Sequence, residues 1–97
     1  MAVEEFKDRE SAYAAWVEAH PQGWVLNLRA REDVTYVVLH RASCSTINPR
    51  RNIPQGAFTQ RAYIKICSED LDSLASWATG YRRNSAPFSK RCRRCKA

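Results

Sequence analysis

Four cysteines and two histidines are the side chains of this 97-residue chain that are best suited to bind a metal ion. Cys92 and Cys95 form a Cys-x-x-Cys pair, a spacing that lets one tight turn direct both sulfurs at a single ion. His40 and Cys44 form a second pair upstream. Structural zinc is held by four thiolate or imidazole ligands in a tetrahedron. The sequence therefore predicts a zinc ion bound by His40, Cys44, Cys92 and Cys95.

Cys67 competes with His40 for the fourth ligand position. In a sheet of three antiparallel strands joined consecutively, the strands that end at His40 and at Cys67 finish at opposite ends of the sheet. This arrangement favours His40 as the ligand and leaves Cys67 as a small buried apolar residue. If the two strands instead run in the same direction, Cys67 joins the site and the ligands are four cysteines.

The predicted zinc ion is structural, because four protein ligands close the coordination sphere and catalytic zinc keeps one position open. It would tie the C-terminal tail and the loop after His40 to the sheet, so that its binding free energy becomes folding free energy. The alternatives are a redox pair, a disulfide in an exported protein, or two surface thiols. A redox Cys-x-x-Cys begins a helix, and no helical pattern follows Cys95.

The chain has a net charge of +6, and its positive charge is concentrated in the C-terminal part. Residues 81–97 carry seven basic side chains and no acidic one. This asymmetry predicts an anionic partner, most simply the phosphates of nucleic acid, which the arginine guanidinium binds well. The predicted contacts are Arg41, Arg50, Arg51, Arg82, Arg83, Arg91, Arg93 and Arg94. Apart from Arg50 and Arg51, they are expected to gather at one end of the sheet, near the zinc ion.

The favoured function is a small basic zinc-stabilised domain that binds nucleic acid, with DNA preferred over RNA. The alternatives are an interaction module for an acidic protein and, less favoured, a small nuclease. The chain has no glycine-rich phosphate loop, no H-E-x-x-H and no nucleophile elbow, so it is not expected to be an enzyme. No apolar run is long enough for a membrane span or a secretory signal, which predicts a cytoplasmic protein without a membrane partner.

Two helices and three strands are expected to position these residues. Apolar periodicity predicts helices over residues 9–19 and between Ser68 and Gly80. Ser68 is the predicted N-cap of the second helix and Gly80 its predicted C-cap. Alternating or β-branched runs predict strands over residues 24–29, 34–40 and 61–67. The second of these strands is apolar on both faces and is therefore expected at the centre of the sheet.

The predicted fold class is α+β, organised as one domain over residues 1–97. Its expected architecture is a three-stranded antiparallel sheet with two helices and a basic C-terminal tail tied down by zinc.

Overall fold

The computed structural model describes residues 3–48 and 56–97, which form two helices and one five-stranded sheet. In chain order the elements are β1 (Glu4–Phe6), α1 (Glu10–Ala19), β2 (Trp24–Arg29), β3 (Val37–Arg41), β4 (Tyr63–Ser68), α2 (Leu71–Arg82) and β5 (Lys90–Arg91). The strand order is β1-β4-β2-β3-β5, and only β5 runs parallel to its neighbour. The α+β class and the two helices are as predicted, whereas the sheet is mixed and has five strands instead of three.

The two strands that the sequence did not predict are the edge strands. β1 pairs antiparallel with β4, and β5 pairs parallel with β3. β1 has three residues, of which two are glutamates, and β5 consists of one lysine and one arginine. Such short charged segments carry no apolar alternation, and they are typical of strands at the edge of a sheet.

The central strand is β2, so the prediction that residues 34–40 form the central strand was wrong. β2 lies between β3 and β4, and Val25 pairs with His40 on one side and with Cys67 on the other. β3 is apolar for a different reason. Val37 and Leu39 belong to the apolar core on one face of the sheet, while Val38 on the other face lines a cavity.

The helices cover opposite faces of the sheet. On one face, Tyr13 and Trp16 of α1 pack in an apolar cluster that includes Val25. On the other face, Leu74 of α2 packs in a cluster that includes Leu26. Because consecutive residues of a strand point to opposite faces, Val25 and Leu26 place the helices on opposite sides of β2. Within the described residues, no helix is long and apolar enough to cross a bilayer.

Glu10, the first residue of α1, joins the N-terminal part of the chain to the residues that precede β4. Its carboxylate accepts hydrogen bonds from the backbone N–H groups of Phe58 (3.1 Å) and Thr59 (2.8 Å). It also accepts one from the Thr59 hydroxyl at 2.7 Å. Both of the residues that it holds are buried. This carboxylate therefore fixes the segment that leads from the loop back into the sheet.

The first turn of α2 is capped by Asp70 rather than by the predicted Ser68. The Asp70 carboxylate accepts a hydrogen bond from the backbone N–H of Ser73 at 3.2 Å. Ser68 is the last residue of β4, and its hydroxyl accepts from the Asp70 N–H at 3.1 Å. At the other end, Arg83 in a left-handed conformation (φ 54°) caps the helix beyond Gly80.

Candidate metal centre

The side chains of His40, Cys44, Cys92 and Cys95 converge at one end of the sheet. One ligand atom of each lies within 4.8 Å of those of the other three. The sulfurs of Cys44 and Cys92 are 3.8 Å apart. In a tetrahedral site with zinc–sulfur bonds of about 2.3 Å, two sulfurs are separated by about 3.8 Å. The four residues thus have the donor types and a spacing that can hold a metal ion.

Two neighbouring strands bring the ligand pairs together. His40 is near the end of β3, and Cys44 lies in the turn that follows, where its N–H donates to the Arg41 carbonyl at 2.9 Å. Cys92 directly follows β5, and its N–H donates to the Leu39 carbonyl of β3 at 2.9 Å. Although β5 has only two residues, its pairing with β3 therefore sets the register between the pairs.

The Cys-x-x-Cys segment forms a tight turn that directs two of its N–H groups at the Cys92 sulfur. Burial opposes ionisation of Cys92, but the backbone N–H groups of Cys95 and Arg94 bring the pKa of Cys92 below its ordinary value. Burial, together with the neighbouring thiols of Cys44 and Cys92, raises the pKa of Cys95 to about 11. Without a cation, ionisation of several of these thiols would be mutually repulsive, and a bound cation offsets that repulsion.

Arg41 holds the same turn from the side of β3. Its backbone N–H donates to the sulfur of Cys95 at 3.3 Å, and its side-chain Nε donates to the Cys95 carbonyl at 3.1 Å. Its guanidinium also lies over the Trp24 ring, 4.7 Å from the centroid. Arg41 was predicted to contact nucleic acid, but its described contacts orient a cysteine of the cluster.

His40 is held in the neutral form that metal binding requires. Burial lowers its pKa to about 4, with further lowering by the positive charges of Lys65 and Lys90. The imidazole is therefore uncharged at pH 7, and one of its two nitrogens keeps a lone pair that can bind a metal.

Thr46 links two of the candidate ligands and was not predicted from the sequence. Its hydroxyl lies 3.0 Å from the Cys44 sulfur and 3.3 Å from His40 Nδ1. The hydroxyl can donate to the sulfur while it accepts from Nδ1–H, which leaves Nε2 as the nitrogen with the lone pair. A hydroxyl residue two positions after a cysteine is too common a pattern to have indicated this role.

We expect Thr46→Val to weaken metal binding about tenfold, because a group that orients ligands typically contributes that much or more to affinity. Competition with a chromogenic chelator measures the zinc affinity. Thr79→Val is the matched control, since the Thr79 hydroxyl bonds only within α2 in its described contact, to the Ser76 carbonyl. Equal zinc affinity of the Thr46 variant and the control would show that the hydroxyl does not position the ligands.

Cys67 lies outside the cluster, but not for the reason that the sequence argument gave. β3 and β4 both run antiparallel to β2, so His40 and Cys67 lie at the same end of the sheet. The expectation that Cys67 joins the site in this case was wrong, because β2 separates the two residues by two strand spacings, about 10 Å. Cys67 is fully buried beside Phe6 and Tyr13, and burial raises the pKa of its thiol well above the ordinary value.

The structure divides the predicted arginine group. Arg91, Arg93 and Arg94 are exposed and flank the cysteines. Arg82 lies at the opposite end of the sheet, where its Nε donates to the carbonyl of Val34, ahead of β3, at 2.8 Å. The expectation that Arg82 and Arg83 gather near the cluster was therefore wrong. Arg50 and Arg51 lie outside the described residues.

Comparisons with known proteins give no relative from which a function could be inferred. No protein-family model, no curated protein and no solved structure matches this chain.

Proposed function

We propose that this chain is a small zinc-stabilised domain that binds nucleic acid through the basic residues around its metal centre. The observation that carries the proposal is the convergence of one imidazole and three thiols within 4.8 Å, with Arg93 and Arg94 exposed between the last two cysteines. A metal at that position would hold both guanidinium groups on a rigid turn. Rigid presentation lowers the entropy that is lost when they bind phosphate.

The donor set supports zinc among the divalent metals. Three thiolates and one imidazole suit a borderline-soft ion, whereas magnesium and calcium prefer oxygen ligands. Four protein ligands also leave no open position for a substrate. The role that fits this set is structural: the ion would fasten the segment after α2, including β5, to the end of β3.

The charge around the centre supports an anionic partner. Lys90, Arg91, Arg93 and Arg94 are all exposed, and no acidic residue follows Asp72 in the chain. Arginine binds phosphate with paired hydrogen bonds, and contacts of this kind supply affinity and salt dependence without base specificity. We infer that the backbone of a nucleic acid passes over this end of the sheet.

Removing both arginines of the turn is the direct test. We expect Arg93→Ala with Arg94→Ala to weaken binding of labelled DNA about tenfold or more at 100 mM salt, because it removes two phosphate contacts. The slope of log affinity against log salt should fall by about 1–2 units. Fluorescence anisotropy over a series of salt concentrations measures both quantities, and RNA of the same sequence is titrated in parallel.

The control removes two charges at the other end of the sheet. Arg31→Ala with Arg83→Asn changes two exposed arginines, and asparagine suits the left-handed conformation of residue 83. If both double variants lose the same affinity, the binding reflects net charge and the metal end is not the interface. If neither DNA nor RNA binds but a polyglutamate peptide does, the partner is an acidic protein and the nucleic-acid proposal fails.

A further inference from the structure

A cavity of about 450 Å³ opens beside the metal cluster on the face of the sheet that α1 partly covers. Its volume is within the range of small-ligand sites in proteins. His40 and Cys92, two of the candidate metal ligands, form part of its wall, so a metal would fix the shape of the cavity.

Apart from the candidate metal ligands, the charged side chains that line this cavity are all positive at neutral pH. Lys90, Arg93 and Arg94 contribute three cations, and none of the lining residues is acidic. The three cations come from one short segment, in β5 and in the cysteine turn. This segment follows the outer edge of β3, and we infer that a phosphate in the cavity binds to more than one of these cations.

The opposite wall carries a polar group with a fixed orientation. The amide oxygen of Asn27 accepts a hydrogen bond from Nζ of the buried Lys65 at 2.8 Å. The amide nitrogen therefore points away from Lys65, and it donates a hydrogen bond to the Tyr36 hydroxyl at 3.4 Å. The second N–H of this amide and the O–H of Tyr36 are the donors that the arrangement offers to a ligand, since Asn27 and Tyr36 both line the cavity.

Tyr36 itself is held in place and is not a free stacking ring. The guanidinium of Arg29 lies 4.5 Å from its ring centroid, and the ring of Tyr63 is 5.9 Å away. Its hydroxyl is thus a fixed polar group in the cavity. The apolar part of the lining comes from Val38 and Ile47.

We propose that this cavity binds one unstacked nucleotide, with its phosphate on Lys90, Arg93 and Arg94. The base would lie against Val38 and Ile47, with its edge toward the Asn27 amide. This inference rests on the proposed function and refines it, because a base can enter the cavity only after leaving the stack. The preferred substrate is therefore single-stranded nucleic acid rather than a duplex.

The substitution Asn27→Asp tests the cavity while preserving the contact of residue 27 with Lys65. Aspartate has the same shape and still accepts from Lys65, now as an ion pair, so the fold should be retained. It removes the N–H donor and places a negative charge opposite the phosphate site. Ser85→Asp is the control, because it adds the same charge at an exposed position in the segment between α2 and β5.

The probes are a single-stranded oligonucleotide, an abasic oligonucleotide of equal length, the corresponding duplex and adenosine monophosphate. We expect the wild type to bind the intact single strand about tenfold or more tightly than the abasic strand, because only the intact strand can place a base in the cavity. In Asn27→Asp this preference should disappear, whereas Ser85→Asp should retain it.

Each outcome separates this inference from the proposed function. Suppose that the wild type binds intact and abasic strands equally well and that Arg93→Ala with Arg94→Ala weakens this binding. The proposed base site in the cavity would then be wrong, whereas the proposed nucleic-acid binding would be supported. If adenosine monophosphate binds, Asn27→Asp abolishes that binding, and no strand binds, the cavity is a site for free nucleotides. The proposal that the protein binds a nucleic-acid polymer would then be wrong. Absence of binding to all four probes would overturn both.

Discussion

Cys92→Ser should lower the melting temperature by roughly 12–24 °C and abolish stoichiometric zinc binding. Structural zinc contributes an apparent binding free energy of about 10–16 kcal/mol in small metal-folded domains, so loss of one ligand should cost at least about 3 kcal/mol here. In a domain of this size, each 1 kcal/mol shifts the melting temperature by about 4–8 °C. Native mass spectrometry gives the metal stoichiometry, and differential scanning calorimetry gives the melting temperature.

The control for this experiment is Cys67→Ala. Cys67 is a buried thiol outside the cluster, so its loss should cost packing energy while leaving one zinc ion per chain. Two results would contradict the metal centre: a wild type that carries no zinc after expression in zinc-supplemented medium, or a mass lower by about two units for each disulfide. An unchanged melting temperature in Cys92→Ser would separately refute the structural role.

The second large effect is expected at Glu10. Its carboxylate accepts three hydrogen bonds from Phe58 and Thr59, two from backbone N–H groups and one from a hydroxyl. Hydrogen bonds to a charged group contribute about 1.5–3 kcal/mol each, and buried donors without a partner cost more than exposed ones. We expect Glu10→Ala to lower the free energy of unfolding by about 3–4 kcal/mol, measured by urea denaturation.

Glu18→Ala provides the comparison, because Glu18 is an exposed residue of the same helix. It should change the free energy of unfolding by less than about 0.5 kcal/mol. Amide hydrogen exchange should locate the effect of Glu10→Ala at Thr59, whose N–H loses its acceptor. A Glu10 variant as stable as the Glu18 variant would show that this carboxylate does not anchor the segment.

The helices and the three longer strands were predictable because each carries its own local signal. Helix α1 has alanines and an apolar stripe and ends before Pro21, and β4 alternates through Tyr63–Ser68. The edge strands were not predictable, since a run of two or three charged residues becomes a strand only when a neighbour supplies its hydrogen bonds. The prediction that β3 rather than β2 is central failed for a similar reason, because apolar character on both faces of β3 does not reveal which strands flank it.

The grouping of His40, Cys44, Cys92 and Cys95 was predictable because the ligands come in two local pairs. The position of Cys67 was not, because it depends on the direction of β4 and on the strand that separates it from β3. The cavity was also beyond sequence reasoning. Asn27 and Val38 meet there only because residues 27 and 38 are paired across β2 and β3.

The two-residue strand β5 has a consequence for the solution behaviour of the metal-free protein. Within the part of the chain that the structure describes, β5 is the only strand on the outer edge of β3, where Ser89 and Cys92 donate to the carbonyls of Val37 and Leu39. If the metal fastens this segment, removal of the metal would expose the valine and leucine residues of β3, whose backbone groups on that edge would then be unpaired. Such an edge is a template for intermolecular β-pairing, so chelation at high protein concentration should lead to aggregation before it leads to a dispersed unfolded chain.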